Sequence, residues 1–275
     1  MPFCHNNSDV LGSFMNIHPT AIVHASAELA EEVEVQAFSI IEADVVLGPG
    51  TVIGPHCVIG AGTVMGANNR TFSGAQVGVL PQDLKHKKGA SGRTVIGNGN
   101  TFREFVTISS STDYGDGNEN KVTRIGSQCL FMACSHVGHD CTVGDRVIIA
   151  NSAGLAGHVT VQDMAIIGGL SGVHQFCVVG RMAFIGAMSR VTKDALPYMI
   201  LAGYPTLCHG PNTVGLERNG TSKEAIARLR KMYRLLYRSH LNTSQALAAI
   251  EEQVPDCEER QVILDFVRNS QRGIQ

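Results

Sequence analysis

Large aliphatic residues recur every six positions along most of this chain. From Ile17 the series runs through Val23, Leu29, Val35, Ile41, Leu47, Ile53 and Ile59 to Met65. A second series begins at Ile125 and passes through Phe131, Val137, Val143, Ile149, Leu155, Val161, Ile167, Val173, Val179 and Ile185 to Val191. Between them lies a shorter run, Ile96, Phe102 and Ile108. With aliphatic residues at roughly 30% of positions, a run as long as the second arises by chance about once in a million starting points. A period of six fits neither the 3.6-residue repeat of an α-helix nor the two-residue alternation of a lone strand. It fits short strands joined by turns, three hexads to a coil, with the aliphatic residue inside and glycine or small polar residues at the corners. The residue after the apolar one is often glycine, as in IGPHCV, IGAGTV, VGDRVI and IGAMSR. One coil cannot bury its own apolar residues, so coils must stack. The fold class predicted is mainly β: a parallel β-helix of hexapeptide repeats over residues 16–197.

The breaks in register are as informative as the repeat. One falls at residues 78–93 (GVLPQDLKHKKGASGR) and the other at 110–124 (SSTDYGDGNENKVTR). Both are polar and glycine-containing, which predicts loops protruding from the coil. Loops held by a rigid scaffold are where chemistry concentrates. After Pro197 the period stops, and residues 198–275 read as a linker and a small α-helical domain. Ser222 to His240 carries a helical stripe of Ala225, Ile226, Leu229, Met232, Tyr233, Leu236 and Tyr237, with Thr221 or Ser222 as N-cap. Two further helices are predicted at about Ser244–Val254 and Cys257–Ser270, separated by Pro255.

Composition supports this picture. Thirty glycines, no tryptophan, 5% aromatic and 17% charged residues suit stacking of small and aliphatic side chains better than an aromatic-rich core. A net charge of −2 argues against a bulk nucleic-acid binder. Eight cysteines are scattered without a CxxC pair, which points to a reducing compartment rather than a disulfide framework. No apolar run reaches the length of a membrane span, about 18–20 residues. The first fourteen residues lack the features of a signal peptide. Met15 is a plausible start, and residues 1–15 read as a disordered extension. The expected location is the cytoplasm.

Four histidines stand out within the repeat: His136, His139, His158 and His174. One coil takes about 18 residues, so His139, His158 and His174 fall on neighbouring coils near one edge of the prism. Histidine is the natural general base near neutral pH, and Asp140 is placed to orient the imidazole of His139. Any one of these histidines reads equally well as a corner-capping residue; four on one strip read as a site. Zinc is the rival use of such a set. However, the H-x4-H element that γ-class carbonic anhydrases use on this architecture does not occur, and the expectation is no metal. In the first loop Gln82, Asp83 and Lys85 supply an amide, a carboxylate and a cation, a grip for a sugar hydroxyl and a phosphate or simply a solvated loop. Gly157 could present its N–H to a developing oxyanion, or be one more corner glycine. The helix from Ser222 carries Lys223, Arg228, Arg230, Lys231, Arg234 and Arg238 against the single acid Glu224. That is a solvated basic face or a docking surface for an acidic partner. There is no P-loop, GxSxG elbow or Rossmann fingerprint.

Several segments carry a resemblance: IHPTAIV at 17–23, QDLK at 82–85, CSHVGHDCTVG at 134–144, NSAGLAGHVTV at 151–161, AIIGGLSGVHQFCVVG at 165–180 and VGLERNGTSKEAI at 214–226. From about residue 16 onward the chain resembles the UDP-N-acetylglucosamine acyltransferases that begin lipid A biosynthesis in Gram-negative bacteria. The resemblance implies a left-handed coil and a homotrimer with active sites in the clefts between subunits. It implies transfer of a (3R)-hydroxyacyl group from acyl carrier protein to the 3-position of a UDP-sugar, or to a 3-amine in variants of the family. No dissociable cofactor is implied, since the phosphopantetheine arrives on the carrier protein. His139 matches the general base, Asp140 its paired carboxylate and Gly157 the oxyanion donor. Asp83, Lys85, His136, His158, His174 and Gln175 match sugar and pyrophosphate contacts, while Asn212 and Arg218 match the uridine and phosphate end. The basic helical surface, with Arg218, is the expected carrier-protein dock. Two positions depart from the pattern. Val214 stands where well-known members have a glutamate near the nucleotide. Ala187 stands where many have glycine at the floor of the acyl channel, beside Phe184; its methyl implies a shorter preferred acyl chain.

Overall fold

A computed structural model of the protein describes residues 16–87, 92–112 and 121–275. The expected extension and the tips of both loops lie outside these residues. Each hexad contributes a short strand, and every third strand pairs in parallel with the one a coil below. Among the described residues this gives three sheets of eleven, nine and eight strands, the faces of a triangular prism. On the first face lie Leu130–Phe131, Ile148–Ile149, Ile166–Ile167 and Phe184–Ile185. The second carries Thr107–Ser109, His136–Val137, Gly154–Leu155 and Gly172–Val173; the third carries Thr123–Ile125, Thr142–Val143, Thr160–Val161 and Val178–Val179. A strand this short cannot satisfy its own backbone. Its N–H groups donate to the next coil instead, as in Gly154 to Ser171 O and Ala156 to Val173 O.

The six-residue series forms the core. Every member from Ile125 to Val191 is at most 3% exposed, as are Ile96, Phe102 and Ile108. The first series continues past Met65 through Thr71 and Val77, both buried. Thr71 hides the continuity because it is polar; its hydroxyl accepts from Gly54 N–H at 2.9 Å. At the N-terminal end Ile17 is 40% exposed, since no described coil covers it.

The corners correct the sequence reading in one respect. The left-handed backbone position of each turn is held mainly by non-glycine residues, including Phe38, Asp140, His158, Leu170 and Phe176, with φ of 58–65°. Many glycines sit instead just after the inward aliphatic residue. There a Cβ would strike the neighbouring coil: at Gly168 it would lie 2.6 Å from Ala187 N, and at Gly138 2.8 Å from Gly157 N. Close approach of coils, rather than turn conformation, selects glycine at these sites.

The coil ends differently from the linker expected after Pro197. Met199–Ala202 adds a final parallel strand, and Leu207–Pro211 turns back antiparallel beside it. Four helices follow: α1 (Thr213–Arg218), α2 (Lys223–Tyr237), α3 (Thr243–Gln253) and α4 (Glu258–Asn269). The short α1 was not predicted from sequence. Ser222 caps α2 by accepting from Ala225 N–H, and α2 packs on Leu207–Pro211, α3 and α4. No helix among the described residues is long and apolar enough to cross a membrane. A buried carboxylate fastens the helical region to the coil. Asp194 accepts from Val178 N–H at 2.8 Å and from the Ser270 hydroxyl at 2.5 Å, while Gln275 N–H donates to Asp194 O. Replacing Asp194 by Ala should lower stability by about 2–3 kcal/mol, because it removes two charge-assisted bonds and leaves two half-buried donors without their acceptor. Thermal unfolding of the variant checks this.

Candidate active site

Both register breaks open at the same corner, where the chain passes from the second face to the third. Ladder partners that are 18 residues apart on the coils just before and after are 31 apart across the first insertion and 29 across the second. The next three coils place Asp140, His158 and Phe176 at one turn position of this corner. His139, Gly157 and Gln175 hold the position just before it.

These stacked turns bring the histidine strip together. His139 Nδ1 lies 2.9 Å from Asp140 Oδ2, and its Nε2 lies 3.8 Å from Asp83 Oδ2 of the first insertion. The His139 and His158 rings meet edge to face, with centroids 5.1 Å apart. His158 stacks in turn on Phe176 at 4.7 Å, a contact the sequence reading missed. His158 Nε2 is 3.8 Å from Asp140 Oδ2. The imidazole of His139 rests on Gly157, where a Cβ would stand 2.4 Å from its Cε1. Gly157 N–H has no hydrogen-bond partner among the described residues. His136 projects from the second face with Nδ1 bonded to Thr107 Oγ1 at 2.8 Å. His174 and Gln175 are exposed on the next coil of the same corner, and Lys85 N–H donates to Asp83 at 2.8 Å. Gln82 is exposed beside them.

Burial sets the charge of two of these groups. It pushes His136 below the ordinary histidine range, with the proximity of His139 adding to the effect. It also lowers His158, against the opposing pull of Asp140. Both imidazoles are therefore neutral near pH 7, able to donate from one nitrogen and accept at the other. The Cys141 thiol beside Asp140 is not a nucleophile: burial pushes it up to about 12. His139, Asp140 and His158 offer ligand atoms within 4.8 Å of one another, so a metal ion is sterically possible there.

Four expected site residues lie elsewhere in the chain. Asn212 is buried at the start of α1, accepting from Gly215 N–H and donating to Met182 O, at the corner between the third and first faces. Arg218 ends α1 and is exposed, as is Val214. Phe184 projects from the first face, and Ala187 is exposed at the corner between the first and second faces. One chain thus carries the expected site residues as two groups, the expected half-sites, on different edges.

A hexad coil with a histidine–carboxylate corner and insertions beside it defines a hexapeptide-repeat transferase. Residues 38–71 and 123–157 match the bacterial transferase hexapeptide (six repeats) family, and residues 194–275 match domain 2 of UDP N-acetylglucosamine O-acyltransferase. An acyl-[acyl-carrier-protein]–UDP-N-acetylglucosamine O-acyltransferase from Trichlorobacter lovleyi is 52% identical, over 94% of this chain and 99% of its own. The solved UDP-N-acetylglucosamine acyltransferase of Bacteroides fragilis superposes with a TM-score of 0.89 at 39% identity, over 94% of this chain and 99% of that one. That of Acinetobacter baumannii gives 0.88 at 40%, over 94% and 98%. The chain belongs to the acyl-[acyl-carrier-protein]–UDP-N-acetylglucosamine O-acyltransferase family.

Two outcomes follow from the geometry. Gly157→Ala should fold but displace the His139 ring, which a crystal structure of the variant would show. In an imidazole NMR titration His136 and His158 should take up their protons below the free-histidine value of about 6.5. Because their folded values are depressed, the stability they contribute is present above about 6.5 and lost as pH falls through the folded values.

Proposed function

We propose that this protein transfers a (3R)-hydroxyacyl group from acyl carrier protein to the 3-hydroxyl of UDP-N-acetylglucosamine, the first step of lipid A biosynthesis. The observation that carries the mechanism is the His139–Asp140 contact of 2.9 Å, with the imidazole seated on Gly157. His139 donates its Nδ1–H to the Asp140 carboxylate, which fixes the tautomer and leaves the Nε2 lone pair free to act. Nε2 removes the sugar hydroxyl proton as the oxygen attacks the thioester carbonyl. The tetrahedral oxyanion is met by the unpartnered N–H of Gly157. The C–S bond then breaks, the ester forms, and the thiolate takes the proton back from His139. Asp83 and neutral His136 and His158 hold sugar hydroxyls. Lys85, His174, Gln175 and Gln82 extend toward the pyrophosphate. The chemistry needs no metal or dissociable cofactor.

The two half-sites support a shared cleft in a homotrimer. The first face carries an outward ladder of Leu130, Ile148, Ile166, Phe184 and Ile200, each half-buried and unusually apolar for an outer surface. The corner beside it exposes Phe38, Phe105, Leu170 and Met188. Closing three copies about that corner sets the first face of one against the second face of the next. It brings a neighbour's Asn212 and Arg218 to the corner of His139, and Phe184 and Ala187 beside the acyl chain. Val214 leaves one nucleotide contact of the wider family unfilled.

Carrier protein docks on the helical region. Arg228 is paired with Glu259, Lys231 donates to Gln253 O and Arg238 to the Tyr233 hydroxyl. Lys223, Arg230 and Arg234 remain exposed along one stripe of α2, and they make the acidic-partner surface together with Arg218. The seven described cysteines are unpaired, in keeping with a cytoplasmic enzyme.

A mass-spectrometric transferase assay tests the reading, using UDP-N-acetylglucosamine, its 3-amino analogue and hydroxyacyl carrier proteins of graded length. Product should form with the hydroxyl acceptor, and His139→Ala should lower kcat by about 10²–10⁴-fold. Undiminished turnover in that variant would remove His139 as the base; product with the amine alone would move the acceptor. In the same assay Ala187→Gly should shift preference toward longer acyl chains, and an unchanged length profile would refute a role for its methyl.

A further inference from the structure

The second insertion begins and ends on one residue of the site. At its start Thr112, 2% exposed, donates its hydroxyl to Asp140 Oδ2 at 2.7 Å. Its backbone N–H lies 3.2 and 3.3 Å from the two carboxylate oxygens. At its end Thr123, fully buried, accepts the Asp140 backbone N–H at 2.9 Å. Asp140 is thus held through both its side chain and its main chain, from the two ends of a single loop. It also occupies the left-handed turn position of its corner, at φ 58°, as His158 and Phe176 do on the next coils.

The same oxygen serves both partners. Asp140 Oδ2 receives the Thr112 hydroxyl and faces His139 Nδ1 at 2.9 Å. Asp140 is free to turn about its own side-chain bonds unless something fixes the plane of the carboxylate. His139 alone cannot do so, being itself a rotor. His158, at 3.8 Å, is too distant for a hydrogen bond. Asp83 approaches the far nitrogen of His139, and Lys121 stands within electrostatic range of His158 from the same insertion.

We propose that Thr112 and Thr123 are positioning residues for the transfer reaction: they clamp Asp140 so that its carboxylate holds His139 in the tautomer and orientation a general base requires. The described ends of the second insertion then serve to orient the base. The clamp rests on the reading of His139 as base.

The test is Thr112→Val, which keeps the shape of the side chain and the backbone N–H but removes the donor, compared with Thr112→Ser, which restores it. Loss of one charge-assisted bond should lower kcat about tenfold in the valine variant, with KM for UDP-N-acetylglucosamine unchanged. The serine variant should recover most of the rate. The low-field Nδ1–H resonance of His139 should move or broaden in the valine variant and return in the serine variant. Thr123→Val should act the same way on kcat. Wild-type kcat in Thr112→Val, or a loss that serine does not restore, would overturn the clamp. So would a fall confined to KM or to thermal stability. If His139→Ala is inactive while Thr112→Val is fully active, only the clamp fails; if His139→Ala is active, the reading beneath it fails as well.

Discussion

The structure depends on one constraint: a two-residue strand has no stability of its own and must bond, in register, to the strand a coil away. Backbone ladders therefore tie position n to position n + 18 along the coil, and the inward aliphatic columns bury themselves by the same stacking. This fixes where variation is possible. Extra chain can enter only at a corner, because an insertion within a strand would throw the aliphatic column out of line. Both insertions do enter at a corner, and at the same one. The period that stabilises the coil also lines up Asp140, His158 and Phe176, residues that share no local sequence motif.

The chemistry of that corner comes from what the scaffold holds still. A turn residue in the left-handed region has little freedom, and its side chain leaves the prism in a fixed direction. Stacked turns make a rigid strip of imidazoles, with Phe176 below His158 and Gly157 below His139. Burial keeps His136 and His158 neutral, so both remain donors and acceptors toward polar groups. His139 differs from them in its carboxylate partner, and the second insertion holds that partner. The scaffold supplies position, and the loops tune it.

Much of this was legible in the sequence. The period gave the coil because it is set by backbone geometry and repeats over many hexads. The histidine strip could be found because 18-residue stacking converts spacing into proximity. What stayed hidden lacked a period. Thr112 and Thr123 are ordinary residues in a polar loop, and nothing local says that both reach Asp140. Thr71 broke the aliphatic series while keeping its place in it. The corners tolerate Phe38, Leu170 and Phe176 in the left-handed region because the ladders on either side fix the turn, a tertiary effect invisible to residue preference. Asn212 looked like a binding residue and is also a buried helix cap, a role visible only once α1 is seen. The strands Met199–Ala202 and Leu207–Pro211 escaped notice because they close the coil with a hairpin instead of a hexad.

In the proposed trimer the His139 corner of one copy works with the α1 edge of its neighbour. Complementation measures this directly. Chains carrying His139→Ala are mixed with chains carrying Arg218→Ala, each having little activity alone, then denatured and reassembled together. If every cleft takes His139 from one copy and Arg218 from its neighbour, random assembly leaves about one quarter of clefts intact, and the mixture should recover about that fraction of wild-type activity. Activity no greater than the sum of the two variants kept apart would mean that both residues act within one chain, and the shared cleft would be wrong.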